Sequence, residues 1–344
     1  MKCDIDTSSV RIGVIGAGSW GTAIAELLAS KGFKIDLWVY EKEVKDQIEQ
    51  TRENKTFLPG VILSSNISPI LDLPKVVSKK DFLFVVVPSH IMRDIACRIG
   101  KFVDDETVII SAAKGIENKT HLTMDAVIRE AIPKIKKRCL AVLSGPSFAV
   151  EVANKVPTLI VVASADKETA FRVQHILSTP YLRAYTSDDI TGVELGGAVK
   201  NVIAIAAGMA DGLKLGLNTR AALITRGLNE IRRLGLKLGA NPHTFIGLTG
   251  VGDLLLTCTG DLSRNHTVGK LIGEGEKIKD ILSRMKMVAE GVKTAKSVYN
   301  LSRKINLEMP ICHEVYHILY DDASPKEAIV RLMTRDLKNE LDEY

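Results

Sequence analysis

Short apolar segments alternate with longer amphipathic segments over about the first 190 residues of this chain. Apolar runs bounded by turn residues are typical of buried strands, and segments whose apolar positions recur with helical spacing are typical of helices that pack on a sheet. The alternation therefore predicts a largely parallel sheet with helices on both faces. We expect strands at residues 10–15, 34–40, 82–87, 108–112, 140–144 and 159–163.

The pattern changes beyond Thr191, where long stretches rich in Ala, Leu, Ile and Gly predict helices. Turn residues at 239–242 and 247–252 interrupt these stretches. We expect an α/β fold of two closely packed domains. Residues 1–190 would form an N-terminal, doubly wound, largely parallel sheet of the Rossmann type, and residues 191–344 a C-terminal all-α domain.

Composition and charge exclude several classes of protein. The 344 residues are 46% apolar and 25% charged, as in a folded globular protein, and the net charge of +5 is too small to indicate nucleic-acid binding. The five cysteines, at positions 3, 97, 139, 258 and 312, are widely spaced and form no C-x-x-C pair. The strongest apolar runs, such as residues 82–87, are far shorter than a membrane helix. We expect a cytoplasmic protein without membrane insertion.

A glycine-rich turn follows the first predicted strand and precedes a helical pattern, as in dinucleotide-binding folds. It reads Gly-Ala-Gly-Ser-Trp-Gly over residues 16–21. Gly16 would permit the tight turn, Gly18 would let the backbone approach a pyrophosphate, and Gly21 would let the helix pack closely on the strand. The first turn of the helix would then face the phosphates.

The second predicted strand ends at Tyr40 and Glu41, and Glu41 lies twenty residues after Gly21. A carboxylate at this spacing can accept hydrogen bonds from ribose hydroxyls and would repel a 2′-phosphate. We therefore expect NAD to be preferred, with NADP as a possible second cofactor. The alternative interpretation is that Glu41 is only an acidic residue at the start of a helix.

Lys200 and its neighbour Asn201 are the only polar residues in the segment 195–210. A buried ammonium group is costly unless it is paired, hydrogen-bonded or able to lose its proton. Together with the dinucleotide turn, this lysine indicates an oxidoreductase with a lysine acid/base. Residues 1–190 would then bind the dinucleotide NAD, and residues 191–344 would bind the substrate and provide the catalytic lysine. Small residues with isolated polar groups also occur at 112–115, 144–149, 250–253 and 261–265, and they could meet in one cleft.

At these segments the chain resembles the NAD(P)-dependent glycerol-3-phosphate dehydrogenase family. The resemblance extends from about residue 11 to beyond residue 330. It rests on the following segments: GAGSWGTA at 16–23, VVVPSH at 85–90, KGIE at 114–117, SGPSFA at 144–149, GVELGGAVKNVIAIAAGMADG at 192–212, AALITRGL at 221–228, LTGVGDLLLTCT at 248–259, SRN at 263–265 and EMPI at 308–311.

The resemblance implies reversible hydride transfer between NAD(P)H and dihydroxyacetone phosphate, which gives sn-glycerol 3-phosphate for glycerophospholipid synthesis. It assigns Lys200 as the acid/base and suggests a homodimer. The implied substrate contacts are Lys114, Gly145, Ser147, Lys200, Asp253, Ser263, Arg264 and Asn265. The expected cofactor contacts are Gly16, Gly18, Ser19, Trp20, Gly21, Tyr40, Glu41, Lys114, Ala149, Arg264, Val288 and Glu290. Bacterial members often carry a basic residue where this chain has Tyr40 and Glu41, which weakens any transfer of NADP preference.

Two other functions remain open at this point, namely a hydroxyacid or ketopantoate reductase and a catalytically silent NAD-binding sensor. Residues 313–317 match the H-E-x-x-H zinc signature, but a five-residue pattern arises easily by chance, and we expect no metal. We interpret His90 as a polar loop residue and Cys258 as a packing residue.

Overall fold

The computed structural model describes residues 7–285 and 287–340, so that Cys3 lies outside the described residues. Eight strands form one sheet in the order β5-β2-β1-β6-β7-β8-β9-β10, and β3 and β4 form a separate antiparallel hairpin. In chain order the strands are β1 (Ile12–Ile15), β2 (Ile35–Trp38), β3 (Glu53–Asn54), β4 (Leu58–Ile62), β5 (Ile67–Ile70), β6 (Phe82–Val85), β7 (Val108–Ser111), β8 (Leu140–Ser144), β9 (Thr158–Ala163) and β10 (Leu182–Ser187).

All six predicted strands are present, with ends shifted by at most two residues, and the sheet is largely parallel as expected. Only the pairing of β8 with β9 is antiparallel within the large sheet. The sequence prediction missed β5 and β10, which are the two edges of this sheet. Edge strands tolerate Pro69 in β5 and the exposed side chains of β10, so their patterns are weaker than those of buried strands.

The helices of the described residues cover the sheet and then form a bundle. Those among or following the strands are α1 (Ser19–Ser30), α2 (Lys42–Thr51), α3 (Leu73–Val77), α4 (Met92–Ile99), α5 (Met124–Ala131), α6 (Ala149–Ala153) and α7 (Lys167–Leu177). The bundle consists of α8 (Ile190–Gly212), α9 (Gly216–Lys237), α10 (Asp253–Thr259), α11 (Arg264–Gly273), α12 (Ile278–Arg284), α13 (Glu290–Lys304), α14 (Pro310–Tyr320) and α15 (Pro325–Met333). Helix α8, the first helix of the bundle, begins at Ile190, and the division into two domains at residues 190 and 191 stays a prediction.

Helix α8 is the centre of the bundle, and every residue from 192 to 210 is buried. A helix that is apolar on all sides requires partners on all sides, and α9, α10, α11, α13 and α14 supply them. Glycines let the α11 backbone approach: a Cβ added at Gly208 would lie 2.0 Å from the His266 carbonyl oxygen. By length and composition α8 could cross a membrane, but 89% of its most apolar window is buried inside the protein.

Residues 247–252, predicted as a turn, contain one π-helical turn at Leu248–Gly252 that leads directly into α10. A Cβ added at Gly250 would lie 1.8 Å from the Phe245 carbonyl oxygen, so only glycine fits there. The wide turn brings the first residue of α10 toward the middle of α8. Turns of this kind are frequent at functional sites.

Candidate active site

The Lys200 ammonium lies in a buried network of charged and polar groups. Its Nζ donates to Asp253 Oδ1 over 2.7 Å and to Thr257 Oγ1 over 2.6 Å. The second carboxylate oxygen, Asp253 Oδ2, accepts from Lys114 Nζ over 2.7 Å. Lys114 also donates to the Gly145 carbonyl oxygen over 3.1 Å. One carboxylate therefore bridges the two lysines predicted to act on the substrate.

The surroundings of Lys200 lower its pKa to about 8. Burial disfavours the charged amine, and the attraction of Asp253 offsets this effect only in part. The charge of Lys114 acts in the same direction as burial. Burial opposes ionisation of Asp253 too, but the two lysines outweigh it and lower the pKa of this carboxyl. Lys200 can therefore exchange a proton near neutral pH, while Asp253 stays ionised.

Glycines in α8 make room for this network. A Cβ added at Gly196 would lie 2.5 Å from the Thr249 carbonyl oxygen, in the π-helical turn before Asp253. A Cβ at Gly197 would lie 2.7 Å from Ser144 Oγ, at the end of β8. The two glycines thus let the sheet and the start of α10 approach the turn of α8 that precedes Lys200.

The predicted substrate residues at 145 and 147 line the same region. Gly145 has φ of +122°, a backbone conformation that favours glycine, and its carbonyl oxygen accepts from both Lys114 and Ser147 Oγ. Ala149 is the first residue of α6. The segment that follows β8 therefore contacts Lys114, which lies beyond the end of β7.

The SRN segment divides into two buried residues and one exposed residue. Ser263 caps α11, with Oγ accepting from the His266 N–H over 3.2 Å. The Asn265 side chain donates to Asn201 Oδ1 over 3.0 Å and accepts from the Gly291 N–H over 2.9 Å. Arg264 is exposed and, among the described residues, makes no hydrogen bond or ion pair. Of the three, only Arg264 has a side chain free to bind an anion.

The glycine-rich turn has the shape that a dinucleotide requires. Gly16 has φ of +111°, and a Cβ added at Gly21 would lie 1.9 Å from the Gly16 carbonyl oxygen. A Cβ added at Gly18 would meet nothing within 4 Å, so the backbone there faces open space before the first turn of α1. These residues fit a pyrophosphate that approaches the backbone of Gly18 and the N-terminus of α1.

The predicted contacts Ser19, Tyr40 and Glu41 lie at or near this turn. Ser19 Oγ donates to the Phe57 carbonyl oxygen over 2.6 Å, in the β3–β4 hairpin, while Trp20 is half-buried in the first turn of α1. Tyr40 is 73% exposed. Glu41 occupies the N-cap position of α2 but makes no capping hydrogen bond, so its carboxylate is free to accept from a ligand.

Glu290 begins α13 and contacts the end of β6. Its Oε1 accepts from the Ser89 N–H over 3.2 Å, and its Oε2 accepts from Ser89 Oγ over 2.5 Å. Burial raises the pKa of Glu290, and the hydrogen bonds from Ser89 oppose this rise. Val288, the other predicted contact before α13, is 37% exposed.

Two residues of the site, Thr257 and Ser89, are not predicted from the sequence. Thr257 lies four residues after Asp253 on α10, a spacing that places both on one helical face and could have been noticed. Ser89 gave no such signal, because its partner Glu290 is 201 residues away. The neighbouring His90 is exposed in a 3₁₀ turn, as expected for a loop residue.

The two histidines of the H-E-x-x-H match at residues 313–317 and the thiol of Cys258 have structural explanations. His313 Nε2 is 2.7 Å from Ser302 Oγ, and His317 Nδ1 is 2.7 Å from Asp321. No group of three or more His, Cys, Asp or Glu residues that could hold a metal occurs within residues 7–285 and 287–340. Burial raises the pKa of Cys258 to about 12, so this thiol is protonated at neutral pH.

Comparison with known proteins gives concordant results for both halves of the chain. Family models described as the N-terminus and the C-terminus of NAD-dependent glycerol-3-phosphate dehydrogenase match residues 11–170 and 189–330. The chain is 56% identical over 331 residues to glycerol-3-phosphate dehydrogenase (NAD(P)+) of Syntrophobacter fumaroxidans, covering 96% of this chain and 97% of the relative. The corresponding protein of Geobacter sulfurreducens is 53% identical over 332 residues, covering 96% of this chain and 99% of the relative.

A solved structure agrees with these relatives. The crystal structure of glycerol-3-phosphate dehydrogenase from Coxiella burnetii has a TM-score of 0.91 and 38% identity, covering 95% of this chain and 99% of that one. The two family models and the near-complete coverage decide against the hydroxyacid or ketopantoate reductase alternative. This chain belongs to the NAD-dependent glycerol-3-phosphate dehydrogenase family.

Proposed function

We propose that this protein interconverts dihydroxyacetone phosphate and sn-glycerol 3-phosphate with NAD(P)(H), and that Lys200 is the acid/base. The observation that carries the proposal is the Lys200–Asp253–Lys114 network, with a lysine pKa of about 8. A group that titrates near the working pH can both donate and accept a proton. The product would supply glycerophospholipid synthesis, as in the family.

The nicotinamide cofactor fits the turn at 16–21, where Gly18 and the first turn of α1 would hold the pyrophosphate. We also assign Ser19, Trp20, Tyr40, Glu41, Ala149, Val288 and Glu290 to this cofactor, with Lys114 and Arg264 at its border with the substrate. When bound, the cofactor supplies or accepts the hydride at carbon 2 of the three-carbon substrate.

Lys200 acts on the oxygen of that carbon. In reduction, its ammonium donates a proton to the oxygen as the carbonyl becomes a hydroxyl, and in oxidation its neutral amine accepts the same proton. Lys114 adds a second positive charge near the developing alkoxide. Asp253 holds both Nζ atoms in place, and Gly145, Ser147, Ser263 and Asn265 shape the surrounding walls. The free guanidinium of Arg264 offers the phosphate a planar set of donors.

The assay for this function follows NADH oxidation with and without dihydroxyacetone phosphate. Because reduction needs protonated Lys200, kcat/KM should be highest below pH about 8 and fall as pH rises through that value. Oxidation of sn-glycerol 3-phosphate needs the neutral amine, so its kcat/KM should rise through the same pH. Cofactor binding without turnover would instead support the sensor alternative and contradict the proposal.

We expect NADH to be preferred to NADPH because the free Glu41 carboxylate would repel a 2′-phosphate. Changing Glu41→Ala should raise kcat/KM for NADPH about tenfold, since one unfavourable charge contact is removed. Glu43→Ala, two residues further along the chain and exposed in the first turn of α2, is the matched control and should change the NADPH value little. Equal use of both cofactors by the unaltered protein would contradict the assignment of Glu41.

We propose a homodimer in the cytoplasm. The four described cysteines are free, as a reducing compartment requires.

A groove of about 1010 Å³ lies between α8, α9, α14 and α15, and nearby Leu217, Met333 and Leu337 are 74%, 78% and 100% exposed. Exposed apolar surface of this kind favours self-association. Light scattering should give twice the chain mass of 37.5 kDa, and a value of 37.5 kDa would exclude the dimer.

A further inference from the structure

Both oxygens of the Glu290 carboxylate accept hydrogen bonds from one residue in the 3₁₀ turn that follows β6. The Ser89 N–H and Oγ bind Glu290 Oε1 and Oε2 over 3.2 and 2.5 Å. Ser89 is only 5% exposed and follows β6 in the 3₁₀ turn at Ser89–Ile91. This pair connects the strand end next to the glycine-rich turn with the first residue of α13.

Ser89 itself has little freedom to move. A Cβ added at Gly115 would lie 2.3 Å from Ser89 Oγ and 2.4 Å from Ser89 Cβ, so the backbone of the segment that contains Lys114 packs directly on this side chain. The serine hydroxyl is therefore fixed between Gly115 and Glu290. A larger residue at position 115 would displace it.

The first turns of α11 and α13 meet beside this contact. The Gly291 N–H donates to Asn265 Oδ1 over 2.9 Å, and a Cβ at Gly291 would lie 2.5 Å from the Asn201 carbonyl oxygen. Arg264 and Glu290 immediately precede these two residues, each as the first residue of its helix. A guanidinium and a carboxylate are thus neighbours.

These neighbours nevertheless form no ion pair. Within the described part of the chain, Arg264 has no hydrogen-bond or ion-pair partner, whereas each oxygen of Glu290 accepts one hydrogen bond from Ser89. A carboxylate that rotates freely beside a guanidinium would form a charge-assisted pair, which is among the strongest hydrogen bonds in proteins. The two hydrogen bonds from Ser89 instead fix the Glu290 carboxylate in an orientation in which neither oxygen lies within 4.0 Å of an Arg264 nitrogen.

We propose that Ser89 is a positioning residue that holds the Glu290 carboxylate away from Arg264 and so keeps the guanidinium free for the phosphate of the substrate. This inference rests on the proposed function, in which Arg264 binds that phosphate. Without the serine hydroxyl, Glu290 Oε2 loses its donor and turns to Arg264. The substrate phosphate must then displace a carboxylate before it can bind.

The test measures binding of sn-glycerol 3-phosphate to the free protein by calorimetry, together with steady-state kinetics. Ser89→Ala should weaken this binding and raise KM for dihydroxyacetone phosphate about tenfold, the cost of one competing ion pair, while kcat stays within about twofold. Ser164→Ala is the matched control, since it removes a buried serine hydroxyl that donates to the Leu140 carbonyl oxygen over 2.7 Å, at the opposite side of the sheet. The control should leave both values unchanged.

The double variant Ser89→Ala/Glu290→Gln separates positioning from a general structural effect. A neutral amide cannot pair with Arg264 as a carboxylate does, so the double variant should bind sn-glycerol 3-phosphate as tightly as Glu290→Gln alone. Ser89→Cys, which keeps the volume but donates weakly, should behave as Ser89→Ala and serves if the alanine variant is unstable.

Three results would overturn the inference: unchanged binding and KM in both Ser89 variants, a loss of kcat without a change in KM, or additive effects in the double variant. Failure of the proposed function looks different. In that case the unaltered protein would bind the cofactor and show no oxidation of NADH that depends on dihydroxyacetone phosphate.

Discussion

Replacing Lys200 with alanine should lower kcat by about 10²- to 10⁴-fold, the range that a positioned acid/base contributes, and should remove the pH dependence near 8. Binding of NADH should persist, because the glycine-rich turn lies on the sheet and not on α8. Stopped-flow or steady-state kinetics give kcat, and fluorescence titration gives the Kd for NADH. A variant with near-normal kcat would rule out Lys200 as the acid/base.

Two further variants test whether the loss of activity comes from the lost proton transfer. Alternative causes are the loss of a positive charge and the loss of a buried lysine. Lys200→Arg keeps a positive group near Asp253 but cannot give up its proton, so it should remain as inactive as the alanine variant. Lys31→Met is the matched control. Burial also lowers the pKa of Lys31 to about 8, but its Nζ donates to three backbone carbonyls at the end of α7. This control should lose stability and keep its kcat.

Asp253→Asn should have the second largest effect. The carboxylate accepts from two lysines and is itself almost fully buried, with 2% of its side chain exposed. Removing one partner from a buried charged group costs about 3–5 kcal/mol of unfolding free energy, and urea denaturation would measure this loss. Asp81→Asn, which breaks the exposed contact with Arg11, should cost at most about 1 kcal/mol.

Asp253→Asn should also change the pH dependence of kcat/KM for reduction. Asp253 raises the pKa of Lys200, in opposition to burial, so its removal should move the fall in reductive kcat/KM to a pH below about 8. At neutral pH less of the lysine is then protonated, and kcat for reduction should fall by about 10²-fold or more. An unchanged pH profile would show that Asp253 does not influence the proton of Lys200.

The two edge strands of the large sheet could not be predicted from the sequence, whereas its buried strands could. Six buried strands could be predicted, because strands covered on both faces are almost continuously apolar. The edge strands β5 and β10 contain Pro69 and alternating exposed residues, and their assignment depends on pairing with β2 and β9. The antiparallel contact between β8 and β9 also left no mark in either strand, since both are mostly buried.

In the site, the residue types were predictable but their partners were not. Lys200 could be singled out because a charged side chain in an apolar helix costs free energy unless it has a partner, whatever that partner is. Its contact with Asp253 spans 53 residues, that of Lys114 with Asp253 spans 139, and that of Ser89 with Glu290 spans 201. The burial of Ser263 and Asn265 in contacts within the protein, which leaves Arg264 as the exposed member of its segment, also required the structure.

The sequence alone thus determined the six buried strands, the glycine-rich turn and the position of a lysine among apolar residues, because each depends on spacing or on the nature of one residue. Only the tertiary structure decided which charges share a hydrogen bond and that Arg264 has no ion-pair partner among the residues described. Such contacts join residues that are distant in the chain, and their energies depend on burial and distance, which exist only once the two halves have packed together.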